Sequence, residues 1–187
     1  MGGMNNVAEL LRLIENVIRL GSIAQVDHDA ARVRVKSGAL LTAWVPWITG
    51  RAGETRDWNP PTVGEQCVLF SPGGDTANAF AMASLFQLTA PPPSHDPGVI
   101  SRLFPDTALF EYDHARSVLR INLPGSIEIS APGGTSWVGN ISHTGDMQRS
   151  GSDTQTGGSK THNGKNVGSE HTHSGVQSGG SNTGGPN

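Results

Sequence analysis

The feature that most limits what this chain can fold into is its last quarter. From Gly139 to Asn187 there are 49 residues, with 12 Gly, 8 Ser and 6 Thr but only four apolar side chains, Ile141, Met147, Val167 and Val176. No single chain of that composition can bury a core, and composition alone describes a disordered tail. The glycines keep step, however. Gly139, Gly145, Gly151 and Gly157 are six apart, with Gly164 one residue late, and the residues between are mostly Ser, Thr, Asn, Asp and Gln. Hexad spacing is the mark of a β-helix in which each short strand ends at a corner that only glycine occupies cheaply. Three chains wound about one axis can share an interior that one chain cannot fill, and each strand edge then meets a neighbour. A flexible linker is the alternative on the period alone.

Upstream, the pattern changes twice. From Asn5 to Leu20, the residues Val7, Leu10, Leu11, Ile14, Val17 and Ile18 recur at steps of three and four, which predicts an amphipathic helix closed by Gly21. The stretches "SIAQV", "ARVRV", "LLTAWVPWI", "EQCVLF" and "ANAFAMASLF" then alternate or run apolar between turn clusters. Five short strands in about 65 residues fit a small OB-like barrel. The segment "LTAPPPSHDPG" breaks both periods, and strand-like alternation resumes around Leu119, Ile121, Leu123, Ile127 and Ile129. The expected architecture is all-β with a short N-terminal helix: residues 1–21 helix, 22–90 OB-fold barrel, 91–98 connector, 99–168 intertwined trimeric, triple-stranded β-helix spike, and 169–187 a metal-capped apex.

The apex carries the clearest chemistry. In "SEHTHSG" an extended backbone puts His171 and His173 on one face, with Thr172 on the other. One chain supplies two imidazole nitrogens. A threefold axis beside them supplies six, in an octahedral or trigonal-prismatic cage. Zinc's preference for four ligands counts against it there, and availability then favours Fe(II), one ion per trimer. With every position filled by protein, the ion is structural, and its binding energy adds to assembly. Two solvated histidines are the alternative reading from spacing alone.

Other classes find less support. The net charge of −3 gives no broad basic field for nucleic acid. Trp44, Trp47 and Trp58 are thinkable stacking platforms, but "AWVPWI" reads as core and loop packing because Lys and Arg do not gather round it. Cys67 in "VGEQCVLF" reads as a small buried hydrophobe, and as the one cysteine it can form no intrachain disulfide. "GGSKTHNGKN" departs from a phosphate-binding loop at Ser159 and Asn166, and "GTSWV" lacks the second glycine of a nucleophile elbow. Asp27-His28-Asp29 and Asp113-His114 read as turn and solvated residues. No catalytic residue is assigned. The N-terminal segment carries acids through its apolar part, unlike a signal peptide, which suggests synthesis in the cytoplasm.

Taken in order, the helix, the small barrel, the connector, the glycine hexads and the terminal "HTHSG" resemble the baseplate assembly protein V family, the central spikes of contractile phage tails and R-type pyocins. The most specific element is the His-x-His. In that family it belongs to an apex where three chains supply six histidine nitrogens to one iron ion, and the matching positions here are His171 and His173. The resemblance implies a homotrimer that docks by its barrel on a tail hub or tube protein at the baseplate tip. It implies passage through the outer membrane when the sheath contracts, no enzymatic activity, and possible further structural ions. Two other readings stay open: a trimeric β-helical polysaccharide depolymerase, and an OB-fold binding protein with a disordered tail.

Overall fold

A computed structural model describes residues 2–169 together with His171, Gly175 and Gly179. The chain divides into two units, residues 1–130 and 131–187.

The first unit opens with α1 (Gly2–Val17), which passes directly into β1 (Ile18–Asp27). The helix therefore stops three residues short of the end expected from periodicity. Ile18, Arg19 and Leu20 are instead taken into the sheet, opposite Phe70, Leu69 and Val68. Tertiary pairing overrides a helical pattern that β-branched and alternating residues fit equally well. Gly21 is not a helix stop either. It lies inside β1 where a Cβ would come within 2.7 Å of the Lys36 carbonyl oxygen and of Val35. Only glycine allows that close crossing of strands.

The barrel is completed by β2 (Arg32–Ser37), β3 (Leu40–Leu41), β4 (Gln66–Phe70) and β5 (Phe80–Leu85), in the antiparallel order β3-β2-β1-β4-β5. "LLTAWVPWI" forms a regular strand only over its first two residues. Pro46 has no N–H to give a ladder, so the remainder pairs piecemeal: Val45 exchanges hydrogen bonds with Val33, and Pro46 and Ile48 bond the two sides of Ala81. Those bonds join the β2 side to β5 and close the barrel. Thr42 assists from within, its buried hydroxyl accepting from the Val35 N–H at 2.9 Å. The core is Ile23, Val33, Val35, Val45, Cys67, Leu69 and two alanines, with Trp47 packed against it. Alternation explains this set, since β2 and β4 present every second residue inward.

After the proline-rich connector, β6 (Val99–Leu103), β7 (Leu109–Asp113) and β8 (Val118–Asn122) form an antiparallel three-stranded meander. The segment expected to be β-helical from residue 99 thus begins with strands that pair within the chain. Its β7–β8 turn is held by Asp113, which is buried and accepts from the Arg116 backbone N–H at 2.9 Å and its guanidinium at 3.2 Å. Those contacts, with Arg120 beyond, hold its carboxyl below the usual range although burial works against them.

The second unit carries little regular structure. From 131 to 159 the described backbone closes one backbone–backbone hydrogen bond within the chain, Gly134 N–H to the Ala131 carbonyl. Yet Gly139, Gly145, Gly151 and Gly157 all have positive φ, at 121°, 114°, 115° and 72°. The sixfold spacing marks real left-handed corners. Gly164 falls one residue late because it belongs to a different device, the two-residue Asn163-Gly164 turn joining β9 (Thr161–His162) to β10 (Lys165–Asn166). Both turn residues have positive φ, 50° and 76°, as a tight hairpin requires.

Two outcomes follow. Leu69→Ala, at a fully buried site, costs about 2–4 kcal/mol in a denaturant titration of the barrel, whereas Leu41→Ala, 45% exposed, costs under about 1 kcal/mol. Because the Asp113 carboxyl titrates below its unfolded value, its contribution is complete at neutral pH and lost as pH falls through the folded value. Asp113→Asn therefore lowers the melting temperature at pH 7 and has a shrinking effect as thermal scans move into acid.

Candidate metal-binding apex

The residues leading to the histidine pair are anchored to the β9–β10 hairpin. Val167 N–H donates to the Lys160 carbonyl at 2.8 Å, and Gly168 N–H donates to Asn166 Oδ1 at 2.8 Å. The Gly168 carbonyl then receives two bonds from His171, one from its backbone N–H at 3.2 Å and one from ring Nδ1 at 2.7 Å. The hairpin thus sets the position and ring orientation of His171.

That second bond has chemical content. A carbonyl oxygen only accepts, so Nδ1 carries the proton in this contact, and in the neutral ring the lone pair resides on Nε2. This is the arrangement in which histidine ligates a metal, with the distal N–H tied to a backbone carbonyl that fixes tautomer and orientation. The donor set thus suits a metal at Nε2. His173 lies outside the described residues. Among the described residues of one chain, no three His, Cys, Asp or Glu side chains gather as a possible metal site. A six-nitrogen cage needs six nitrogens from three copies, by the arithmetic of two histidines per chain.

The remaining candidate residues behave as packing groups. Cys67 is fully buried, and burial, with Glu65 nearby, pushes its thiol up to about 11. A thiol that resists ionisation is a poor nucleophile. Trp47 and Trp58 pack on each other at 5.7 Å between centroids, and the Arg34 guanidinium stands 6.0 Å over Trp44. Asp27 caps its own turn by accepting from the Ala30 N–H. Arg120 engages Glu111 at 2.7 Å and lies 3.9 Å from Asp113, and Arg149 pairs with Asp153. His114 Nε2 donates to the Pro97 carbonyl at 3.3 Å. The hairpin bonds that orient His171 were the part sequence reasoning missed. The signal was present in Asn163-Gly164, a hairpin dipeptide flanked by residues able to pair.

Comparisons with known proteins bear on both ends of the chain. Residues 19–86 match the family described as the type VI secretion system/phage-baseplate injector OB domain. Residues 169–187 match the family described as the GpV apex motif. The first match begins one residue into β1 and ends just past β5, so it coincides with the closed barrel. Among curated proteins, the spike protein of Escherichia phage P2 is 35% identical over 133 residues. The matched region is 71% of this chain and spans 63% of that relative's length.

With Cys67 sealed in the core, a thiol reagent added to the folded protein at pH 8 is expected to leave it unmodified over hours. Modification becomes complete once denaturant opens the barrel. Labelling at the same rate in both states would show that the thiol is accessible and reactive in the fold.

Proposed function

Because the chain belongs to the phage baseplate spike family, a family that is structural rather than enzymatic, we propose that it is the central spike of a contractile tail. Three copies wind into one narrow shaft, and sheath contraction drives that shaft through the outer membrane of the target bacterium. The observation that carries this reading is the second unit's backbone: left-handed glycine corners at a fixed sixfold step, in a stretch that forms almost no ladder with itself. A backbone so patterned gains its hydrogen bonds from other strands, and three copies provide them.

The hexad also assigns an interior. Ile141 and Met147 each follow a corner glycine by two residues, and both are more than half exposed in the single chain. Equal phase puts these two on one face, so the three copies bury them together; at the next two corners the same phase holds Asp153 and Ser159, and the apolar interior is confined to the first two corners. A shaft built this way resists local opening, because no strand can leave without breaking bonds to its neighbours. This is what a piercing device requires.

At the apex, His171 and His173 of three copies hold one iron ion as Fe(II), octahedral through six imidazole nitrogens. The Nδ1 bond of His171 to Gly168 supports this, because it presents Nε2 in the ligating tautomer. The ion supplies a crosslink at the end of the shaft, where residues 169–187 carry one apolar side chain, Val176. Further structural ions belong to the same reading, without residues assigned to them. The barrel docks on the hub or tube of the baseplate, and the spike is a component of the phage or bacteriocin particle.

The test is native mass combined with elemental analysis on one purified sample. The expected ratio is one iron per three chains, falling below about a tenth of that in His171→Ala/His173→Ala while the trimer persists. A metal-free trimer would remove the iron apex, and a monomer would remove the shaft as well. In the assembled spike, Ile141→Ala is expected to cost about 2–4 kcal/mol per chain as the shared interior loses packing. An unchanged denaturation midpoint would contradict the shared interior.

A further inference from the structure

The helix α1 leaves its apolar stripe uncovered by its own barrel. It is seated on the loop at Pro72–Gly74 through a different face: Leu13 is half-buried and Asn16 is buried. A Cβ on Gly74 would come within 2.6 Å of the Leu13 Cα. Arg19 donates to Asn16 Oδ1 at 2.8 Å, and Ser71 N–H donates to the Val17 carbonyl at 2.9 Å. The helix is thereby fixed in rotation as well as position. At 100° per residue, Val7, Leu11 and Ile14 point roughly 130–170° from the mean direction of Leu13 and Asn16, Leu10 stands about 90° from it and Val17 about 70°, and all but Val17 are more than half exposed.

The stripe has the spacing of a helix-to-helix seam. Taking Val7 and Ile14 as a positions makes Leu10 and Val17 d positions and Leu11 an e position. The charged residues Glu9, Arg12 and Glu15 then fall at c, f and b, and Glu9 pairs with Arg12 across that outer face at 2.7 Å. No charge lies on the seam or its flanks. Identical seams therefore meet without like-charge repulsion, which makes a further copy of the same helix an acceptable partner. With the neighbouring Ile18, 60% exposed, the stripe offers on the order of 600 Å² a side, the lower edge of what a specific interface buries. Two heptads are too short to associate alone. Three copies already joined through their shafts meet at an effective concentration that no longer demands it.

We propose that the α1 stripes of three copies pack on one another as a short parallel bundle, clamping the N-terminal end of the spike. This rests on the three-copy reading given above. The test uses the full chain with single substitutions Leu10→Cys, Ile14→Cys and, at an outer position, Arg12→Cys, each mildly oxidised and examined both by non-reducing gel and by native mass. The sole native thiol, Cys67, is fully buried and does not compete. Residues facing each other across the bundle come within disulfide reach as the helices breathe, whereas outer positions do not. Leu10→Cys and Ile14→Cys are expected to link at least half the chains into covalent dimers, and Arg12→Cys under a tenth. A native trimer in which neither seam position links overturns the bundle while leaving the shaft intact, and shows the stripe to face another occupant such as a hub protein. Equal linking at all three positions also overturns it. A monomer overturns both readings.

Discussion

Everything in the second unit depends on where its backbone hydrogen bonds go. Each peptide group carries a donor and an acceptor, and a chain that folds must pair them with itself, with water or with another strand. The first unit pairs its own: five barrel strands and a three-stranded meander account for the ladder from Ile18 to Asn122. From 131 to 159 the pairing within the chain nearly ceases, while glycine corners recur with a geometry that solvated linkers have no reason to repeat. The strand-to-strand bonding between copies proposed above would reconcile the two facts. It would also explain why so few apolar side chains suffice, since one narrow interior is then shared among three copies.

The same constraint orders the rest of the molecule. The barrel is stable as a unit because alternation delivers Ile23, Val33, Val35 and Leu69 to one core, closed by the bonds around Ala81. In the proposed shaft, rigidity comes from neighbouring copies, and the proposed metal adds a crosslink at its C-terminal end. The β9–β10 hairpin links these ideas locally. Its tight turn interrupts the hexad, and the turn that follows ends on the carbonyl that orients His171.

Much of this was legible in the residues. The barrel strands followed from alternation, the corners from the sixfold glycines, and the burial of Cys67 from its place in an apolar run. What was not legible had specific causes. Ile18 to Leu20 satisfied the helical period as well as the strand period, and only pairing with Val68 to Phe70 decided between them. Pro46 divided an apparently continuous strand, because the missing N–H matters only once a partner strand is known. Gly21 looked like a helix stop and serves a close strand crossing. Asp113 read as a solvated residue and is buried under Arg116 and Arg120, a partnership between β7 and β8 that depends on register. For the apex, spacing singled out His171 and His173 as the candidate pair, whereas the tautomer of His171 required a carbonyl three residues back.

The central claim is that residues 131–159 obtain their backbone hydrogen bonds from other copies of the chain. Amide hydrogen exchange on the purified, assembled protein measures this directly. The account predicts that amides between the corner glycines, from Asn140 to Thr156, are protected by at least about a thousandfold, a free energy of roughly 4 kcal/mol, and that protection vanishes when the assembly is dissociated. Exchange of these amides at unfolded-chain rates in the intact particle, with the barrel still protected, would contradict it.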